Sequence, residues 1–324
     1  MLSYFKVQQP FSFILFVAFF IGIKLPYFLH LQILPIMPVQ SWWTDIGLFF
    51  PSSAFLNVCL AQLCLLAQAL WFNYLFNQAD FHESNSLIPA VMFAIVTAIL
   101  PEFNQFSIYM ATSFLLLFLF QIALNINSRE SAKLESFNLG LIGACLALVN
   151  VHFILLIPFL FLMLYALKSF RISEYIMLLF GILFVFYFAI GISYVADVSL
   201  NIDDLSLRIF YLFQFKKDTY NIILLILTAV YLCFAFVSLR GIMFSTGFKR
   251  RKNVNMLILF FIGLVITLTF ARNADESILS ILFIPVSVFL TLFMLRIRKK
   301  RLGEILNIIF ITVTIVTNIV KFFK

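Results

Sequence analysis

A small set of polar residues interrupts an otherwise apolar chain, and these could do chemistry. Asp45 closes the stretch Gln40-Ser-Trp-Trp-Thr-Asp45, Glu102 sits in Leu100-Pro-Glu-Phe, and Asn150-Val-His152 breaks a long hydrophobic run. Arg272 precedes Asp275 and Glu276. Asp45, Glu102 and His152 are side chains that can accept a proton from a hydroxyl. Arg272 offers the fork geometry that holds a phosphate, with Asn150 as a neutral donor and acceptor beside it. Catalysis is therefore assigned to Asp45, Glu102 and His152, and substrate binding to Arg272 and Asn150. For each residue, a loop charge or loop amide bathed in solvent is the competing reading. Asp203 and Asp204 lie in the longest polar connection. Asp80, His82 and Glu83 form an acidic loop without Lys or Arg, but three adjacent ligand types recur by chance, and no metal is expected.

The elements that position these residues must lie in lipid. Hydrophobic residues make up 64% of the 324, charged residues 11%, and mean hydropathy is +1.09. A soluble surface needs roughly a quarter of its residues charged. Only helices or closed barrels satisfy their backbone inside a bilayer. Barrel strands alternate polar and apolar residues, whereas Phe114–Phe120 (FLLLFLF) is apolar on every side. The fold class is all-α: a polytopic transmembrane helical bundle filling one domain over 1–324. Its chain is expected to cross a membrane many times.

Eleven apolar segments are predicted, some of them short: 9–24, 49–75, 86–101, 107–126, 137–150, 152–168, 174–196, 219–239, 254–271, 277–295 and 304–322. The stretch 137–170 counts 34 residues. As one helix it would run about 50 Å, against a hydrocarbon core of about 30 Å, so it is split at Asn150–His152. The first run lacks an A-x-A cleavage site before Lys24 and reads as a retained helix. A cytoplasmic N-terminus puts 15 of the Lys and Arg inside and 7 outside, Lys24 among the latter at the end of the first span. Net charge is +8, but the basic residues sit beside span ends, so no nucleic-acid partner is expected.

Within the second span, Ser53, Asn57 and Gln68 fall on one stripe, and Gln62 and Asn73 on another about 140° away at 100° per residue. Two stripes predict a helix contacting protein on two sides, through interhelical hydrogen bonds or around a wet cavity. Cys59, Cys64, Cys145 and Cys233 all fall in apolar runs and are expected to be buried and reduced. With Phe 44 and Gly 10, bulky rings are expected to fill the interfaces, rather than tight small-residue helix packing. No phosphate-binding loop, dinucleotide fingerprint, zinc motif or nucleophile elbow is present, and no cofactor is expected.

Three short stretches carry a resemblance: Ser86-Leu-Ile-Pro-Ala-Val-Met-Phe, Glu135-Ser-Phe-Asn-Leu-Gly-Leu-Ile-Gly, and Phe170-Arg-Ile-Ser-Glu-Tyr followed by Leu-Phe-Gly181. With Ile284-Pro285 they resemble an uncharacterised family of polytopic inner-membrane proteins from Bacteroidota. A more distant likeness is to the type C glycosyltransferases, membrane enzymes that use sugars carried on polyprenyl phosphate. Those enzymes place an acidic residue in the first outer loop, where Asp45 stands here. This chain departs from them in lacking the paired acidic motif and a periplasmic domain. The likeness implies a glycosyltransferase-like protein meeting a polyprenyl-phosphate-linked sugar, a membrane lipid, at the outer face. A transporter or flippase, and a non-catalytic membrane subunit or assembly factor, stay open beside it.

Overall fold

The structure, a computed structural model, describes residues 5, 9–29, 53–79, 81, 85–99, 101–128, 131–168, 170–195, 226–236, 239, 247–270, 276–297 and 300–322. Among these, every regular element is helical: α1 (Pro10–Leu29), α2 (Ala54–Gln78), α3 (Ile88–Thr97), α4 (Ile108–Ser128), α5 (Lys133–Val149), α6 (Ile157–Leu167) and α7 (Ile172–Val195). Then follow α8 (Ile226–Phe236), α9 (Phe248–Thr269), α10 (Phe283–Arg296) and α11 (Lys300–Phe322). Short 3-10 turns at Pro101–Asn104, Val151–Leu156 and Glu276–Leu282 lead into α4, α6 and α10.

The expected all-α class holds, but a count of eleven spans does not. Among the described residues six helices are long and apolar enough to cross a membrane: Pro10–Phe28, Ala54–Gln78, Ile108–Ser128, Ile172–Val195, Phe248–Thr269 and Ile278–Arg296. Apolar character had stood for span length, and the two separate at α3. Its ten residues are all buried, and it rises only about 15 Å, half of a core of about 30 Å. A helix apolar on every side is apolar here because protein, not lipid, surrounds it. α2 and α10 pack directly on α3. Phe93 meets Phe72 at 5.4 Å and Phe283 at 6.2 Å between ring centroids.

At the periphery, lipid replaces protein as the apolar partner. α7 turns Phe180, Leu183, Phe184, Tyr187 and Ile190 outward, and buries Leu178, Gly181 and Ile182 against α5. This contact overturns the expectation that glycines do not set helix packing. A Cβ at Gly140 would collide with the Leu178 backbone oxygen, and one at Gly181 with the Phe137 backbone oxygen. The two backbones come this close because both glycines sit at the crossing. The cysteines are free thiols, as expected, but not buried: Cys59, Cys64 and Cys145 are partly exposed and Cys233 is exposed. They lie on outward faces of their helices, where an apolar position needs no protein cover.

The 137–170 stretch divides at the expected point. α5 ends at Val149, and Asn150 is extended (φ −144°, ψ 119°) before the Val151–Leu156 turn. The Asn150 side chain accepts the His152 backbone N–H at 3.1 Å, giving the backbone a local partner that competes with helix continuation.

One end of the bundle is basic and tied by amides. Asn127 Nδ2 of α4 donates to Asn253 Oδ1 at 2.7 Å and to the Lys249 carbonyl at 2.9 Å, both on α9. Asn253 Nδ2 then donates to the Ala79 carbonyl at 3.1 Å, past the end of α2. Lys252 Nζ donates to the Leu167 carbonyl at 2.9 Å, closing the last turn of α6. Lys133, Lys168, Arg171 and Lys249–Lys252 therefore share this end, together with Glu174, which accepts the Ala132 N–H at 3.1 Å at the start of α5. Phe5 is also here, its carbonyl accepting the Leu87 N–H at 2.8 Å just before α3.

Candidate functional site

The end opposite the basic one holds a fully buried lysine, Lys24. On α1 the residues Ser12, Phe16, Phe20, Ile23, Lys24 and Tyr27 are buried, whereas Phe11, Ile14, Ile21 and Leu25 are exposed. Ser12, Phe16, Phe20 and Lys24 follow one another at i, i+4, so Lys24 continues the inward row. The expected end of the first span at residue 24 is corrected by the helix itself, which runs through Pro26 to Leu29. Lys24 is thereby carried off the expected boundary and into the protein, with 0% exposure.

Its partners are neutral. Lys24 Nζ donates to Asn104 Oδ1 at 2.5 Å and to Thr97 Oγ1 at 3.1 Å. It also lies 5.9 Å from the Phe20 ring centroid and 5.8 Å from that of Tyr27, within reach of their π faces. No carboxylate pairs with it among the described residues. Thr97 is the last residue of α3 and Asn104 the last of the Pro101–Asn104 turn, so the lysine ties α1 to both. Asn104 Nδ2 donates to the Thr97 carbonyl at 3.2 Å, folding the turn back on the helix end. The Tyr27 hydroxyl donates to the Ala98 carbonyl at 2.9 Å.

α2 supplies the wall on the other side of the turn. Gln62 Nε2 makes long contacts to Asn104, 3.4 Å to Oδ1 and 3.5 Å to the carbonyl, and its own Oε1 is buried without a partner. Asn57 exchanges two hydrogen bonds with the Phe106 backbone, at 2.7 and 3.3 Å. Gln68 Nε2 reaches the Met110 carbonyl at 3.0 Å and Ser113 Oγ at 2.8 Å on α4. The two polar stripes of α2 thus have different partners: Asn57 and Gln68 face α4 and its lead-in, and Gln62 faces the turn. A small cavity of about 10 Å³, bordered by Ser107, Ser113, Ser280, Phe103 and Phe283, lies behind the turn and has room for about one water.

The expected site residues are distributed as follows. Asp45 and Arg272 lie outside the described residues, as do Asp80, His82, Glu83, Asp203 and Asp204. Glu102 is on the Pro101–Asn104 turn, two residues before the Lys24 partner. Asn150 caps the Val151–Leu156 turn through its side chain. His152 is buried at 2% exposure with Nδ1 unpartnered, at the α5–α6 hairpin rather than in the Lys24 network. Sequence reasoning missed Lys24, Thr97 and Asn104. The one signal for Lys24 was its i+4 register with Phe16 and Phe20; nothing in the order of residues tied the helix to Asn104, 80 positions away.

Chemically the arrangement is a fixed ammonium with acceptors on two elements and no fixed counter-charge among the described residues. Ionisable groups at membrane depth are expensive to hold and tend to mark functional positions. No curated protein and no solved structure matches the chain. A family of unknown function, DUF6427, matches residues 34–324, a stretch that contains the Thr97–Asn104 wall and leaves α1 with Lys24 before it. The chain belongs to that family.

Proposed function

We propose that this membrane protein binds the phosphate of a lipid-linked substrate at the Lys24 end of the bundle. A polyprenyl-phosphate-linked sugar is the substrate class, and a glycosyltransferase-like enzyme is the activity. One observation carries the reading: Lys24 is fully buried and, among the described residues, held by neutral groups, Thr97 Oγ1 and Asn104 Oδ1. A phosphate oxygen replacing those acceptors would supply the missing counter-charge, and charge-assisted bonds are roughly twice as strong as neutral ones. Glu102, on the same turn as Asn104, is the carboxylate assigned to take the proton of an acceptor hydroxyl. In that transfer the hydroxyl oxygen bonds to the anomeric carbon, the bond from that carbon to the phosphate oxygen breaks, and the polyprenyl phosphate leaves toward Lys24. By the positive-inside rule the opposite, basic end faces the cytoplasm, so the chemistry falls in the outer leaflet of an inner membrane.

A transporter or flippase is the second reading, favoured by the carboxamides that α2 presents along its length, Asn57, Gln62, Gln68 and Asn73, all buried. Binding of polyprenyl phosphate to the protein in lipid nanodiscs tests the proposal. Lys24→Met keeps the length of the stem and is expected to weaken binding at least about tenfold, the equivalent of one hydrogen bond to a charged group. Equal affinity in the two proteins would remove the phosphate site. Bound lipid that moves between leaflets without glycan product would favour the second reading.

A further inference from the structure

The bundle carries a second polar site, at the basic end, that the Lys24 chemistry does not use. A cleft of about 760 Å³ opens between the start of α1, the last turns of α2 and the segment before α3. That volume falls within the usual range for small-molecule sites, about 300–1,000 Å³. Its polar lining is almost entirely carboxamide: Gln9, Asn73, Asn77, Gln78 and Asn85, with Tyr74 beside them. Among the described residues, none of its lining bears a formal charge.

Within this lining Asn73 is the telling residue. It is 5% exposed and its Oδ1 is buried with no partner among the described residues. A buried amide oxygen without a donor costs about 1–3 kcal/mol, and a rotation of Asn73 toward the cleft it lines would let a bound hydroxyl offset that cost. Asn77 behaves differently. Its side chain is committed to Ser86, donating to the carbonyl at 3.1 Å and accepting the N–H at 3.3 Å, and this pair shapes the cleft wall. Gln9, Gln78 and Asn85 are exposed at the mouth. Phe13 and Tyr74 are 44% and 59% exposed on the lipid-facing side of the opening.

We propose that this cleft binds a neutral sugar, the headgroup of a membrane glycolipid. Carboxamides donate and accept at once, which suits hydroxyl groups that do the same. An aromatic face at the rim covers the C–H side of a pyranose ring or the first carbons of an acyl chain. The helix ends that build the cleft lie beside the amide ties to the basic face, at the depth of lipid headgroups. The site is separate from the Lys24 reading and does not rest on it.

Native mass spectrometry of the full chain released from an oxyethylene detergent tests this, with monoglucosyldiacylglycerol as the probe. Phosphatidylethanolamine and phosphatidylglycerol serve as controls, and methyl β-glucoside is added as a competitor. The glucolipid is expected to be retained at least about tenfold more strongly than either phospholipid, and Asn73→Leu or Asn85→Ala should lower it to their level. Displacement by methyl β-glucoside would show that the sugar alone suffices; glucolipid retention that resists the competitor and is still lost in the variants would require the sugar on its lipid. Asn85 is exposed, so its variant decides the matter if Asn73→Leu does not fold. Glucolipid held no better than phosphatidylethanolamine, or held equally by the Asn85→Ala protein, overturns the proposal.

Discussion

Removing Asn104 should be far more damaging than removing the lysine it holds. Lys24 Nζ makes a 2.5 Å bond to Asn104 Oδ1 and a 3.1 Å bond to Thr97 Oγ1. Hydrogen bonds to a charged group contribute about 1.5–3 kcal/mol each, and enclosing the ammonium costs several kcal/mol in the opposite direction. Lys24→Met removes both terms while a chain of similar length fills the same space. The terms nearly cancel, so its stability should lie within about 1 kcal/mol of the parent. Asn104→Leu leaves the ammonium buried with only the Thr97 hydroxyl, a loss of about 3–5 kcal/mol. In the Lys24→Met background the same substitution removes only neutral contacts, the bond to the Thr97 carbonyl and the long ones from Gln62, for about 1–2 kcal/mol.

The difference, a coupling of about 2–3 kcal/mol, is the quantity to measure. Reversible unfolding of the four proteins in bilayer discs, followed by steric trapping, gives it directly. A coupling below about 0.5 kcal/mol would mean that the two side chains act independently. The account of Lys24 as a cation held by the Pro101–Asn104 turn would then be wrong, and the phosphate proposal would lose its support with it.

The remaining predictions concern packing and polar ties. Gly181→Ala must push α7 off α5 because the new methyl meets the Phe137 backbone, so a loss of about 1–3 kcal/mol is expected by thermal unfolding. Gly22→Ala meets nothing within 4 Å, and should instead stabilise by about 0.5–1 kcal/mol as a helix-interior replacement; a loss there would contradict the open surroundings of α1. Asn253→Ala cuts the bonds to Asn127 and Ala79, and should cost about 1–3 kcal/mol and speed amide hydrogen exchange at the ends of α2 and α4. His152→Phe removes a buried nitrogen that has no partner, and should leave stability equal or higher by about 1 kcal/mol; a marked fall would mean that Nδ1 is bonded in the native membrane.

Fold class was legible because it depends on bulk composition, which no tertiary detail can reverse. The break at Asn150 was legible for a different reason: Asn competes locally for the backbone, and its bond to the His152 N–H needs no distant residue. Span number was not legible, since hydropathy cannot distinguish a helix facing lipid from α3, whose apolar surface faces α2 and α10. Composition likewise hid the α5–α7 contact. Ten glycines are few, but two of them at one crossing suffice to bring backbones together. At the site, the sequence located Glu102 near a polar end yet put Lys24 at a boundary, because a lysine followed by Leu-Pro reads as the end of a span. Proline removes one helical hydrogen bond without forcing the chain to turn, and packing on α2 and α3 keeps α1 helical to Leu29.

The two polar sites share their scaffold, and that sharing constrains what the protein can do. α1 and α2 together supply Lys24 and Gln62 at one end and Gln9, Asn73 and Gln78 at the other. Between the ends α1 contributes a row of buried rings, Phe16 and Phe20, and α2 contributes Leu65, Ala69 and Phe72, with no polar atom reaching across. A sugar and its phosphate therefore cannot pass along this interface without separating the two helices. Movement of α1 against α2 would disturb both sites at once, since Lys24 grips α3 and the turn while the start of α1 forms the cleft wall. Ligands at the two proposed sites would thus be coupled through a single helix pair. An enzyme that receives a glycolipid on one face and a lipid phosphate on the other, or a flippase that alternates between them, would both use that pair as the moving part. Filling either site should stiffen α1, which amide hydrogen exchange along Pro10–Leu29 would report.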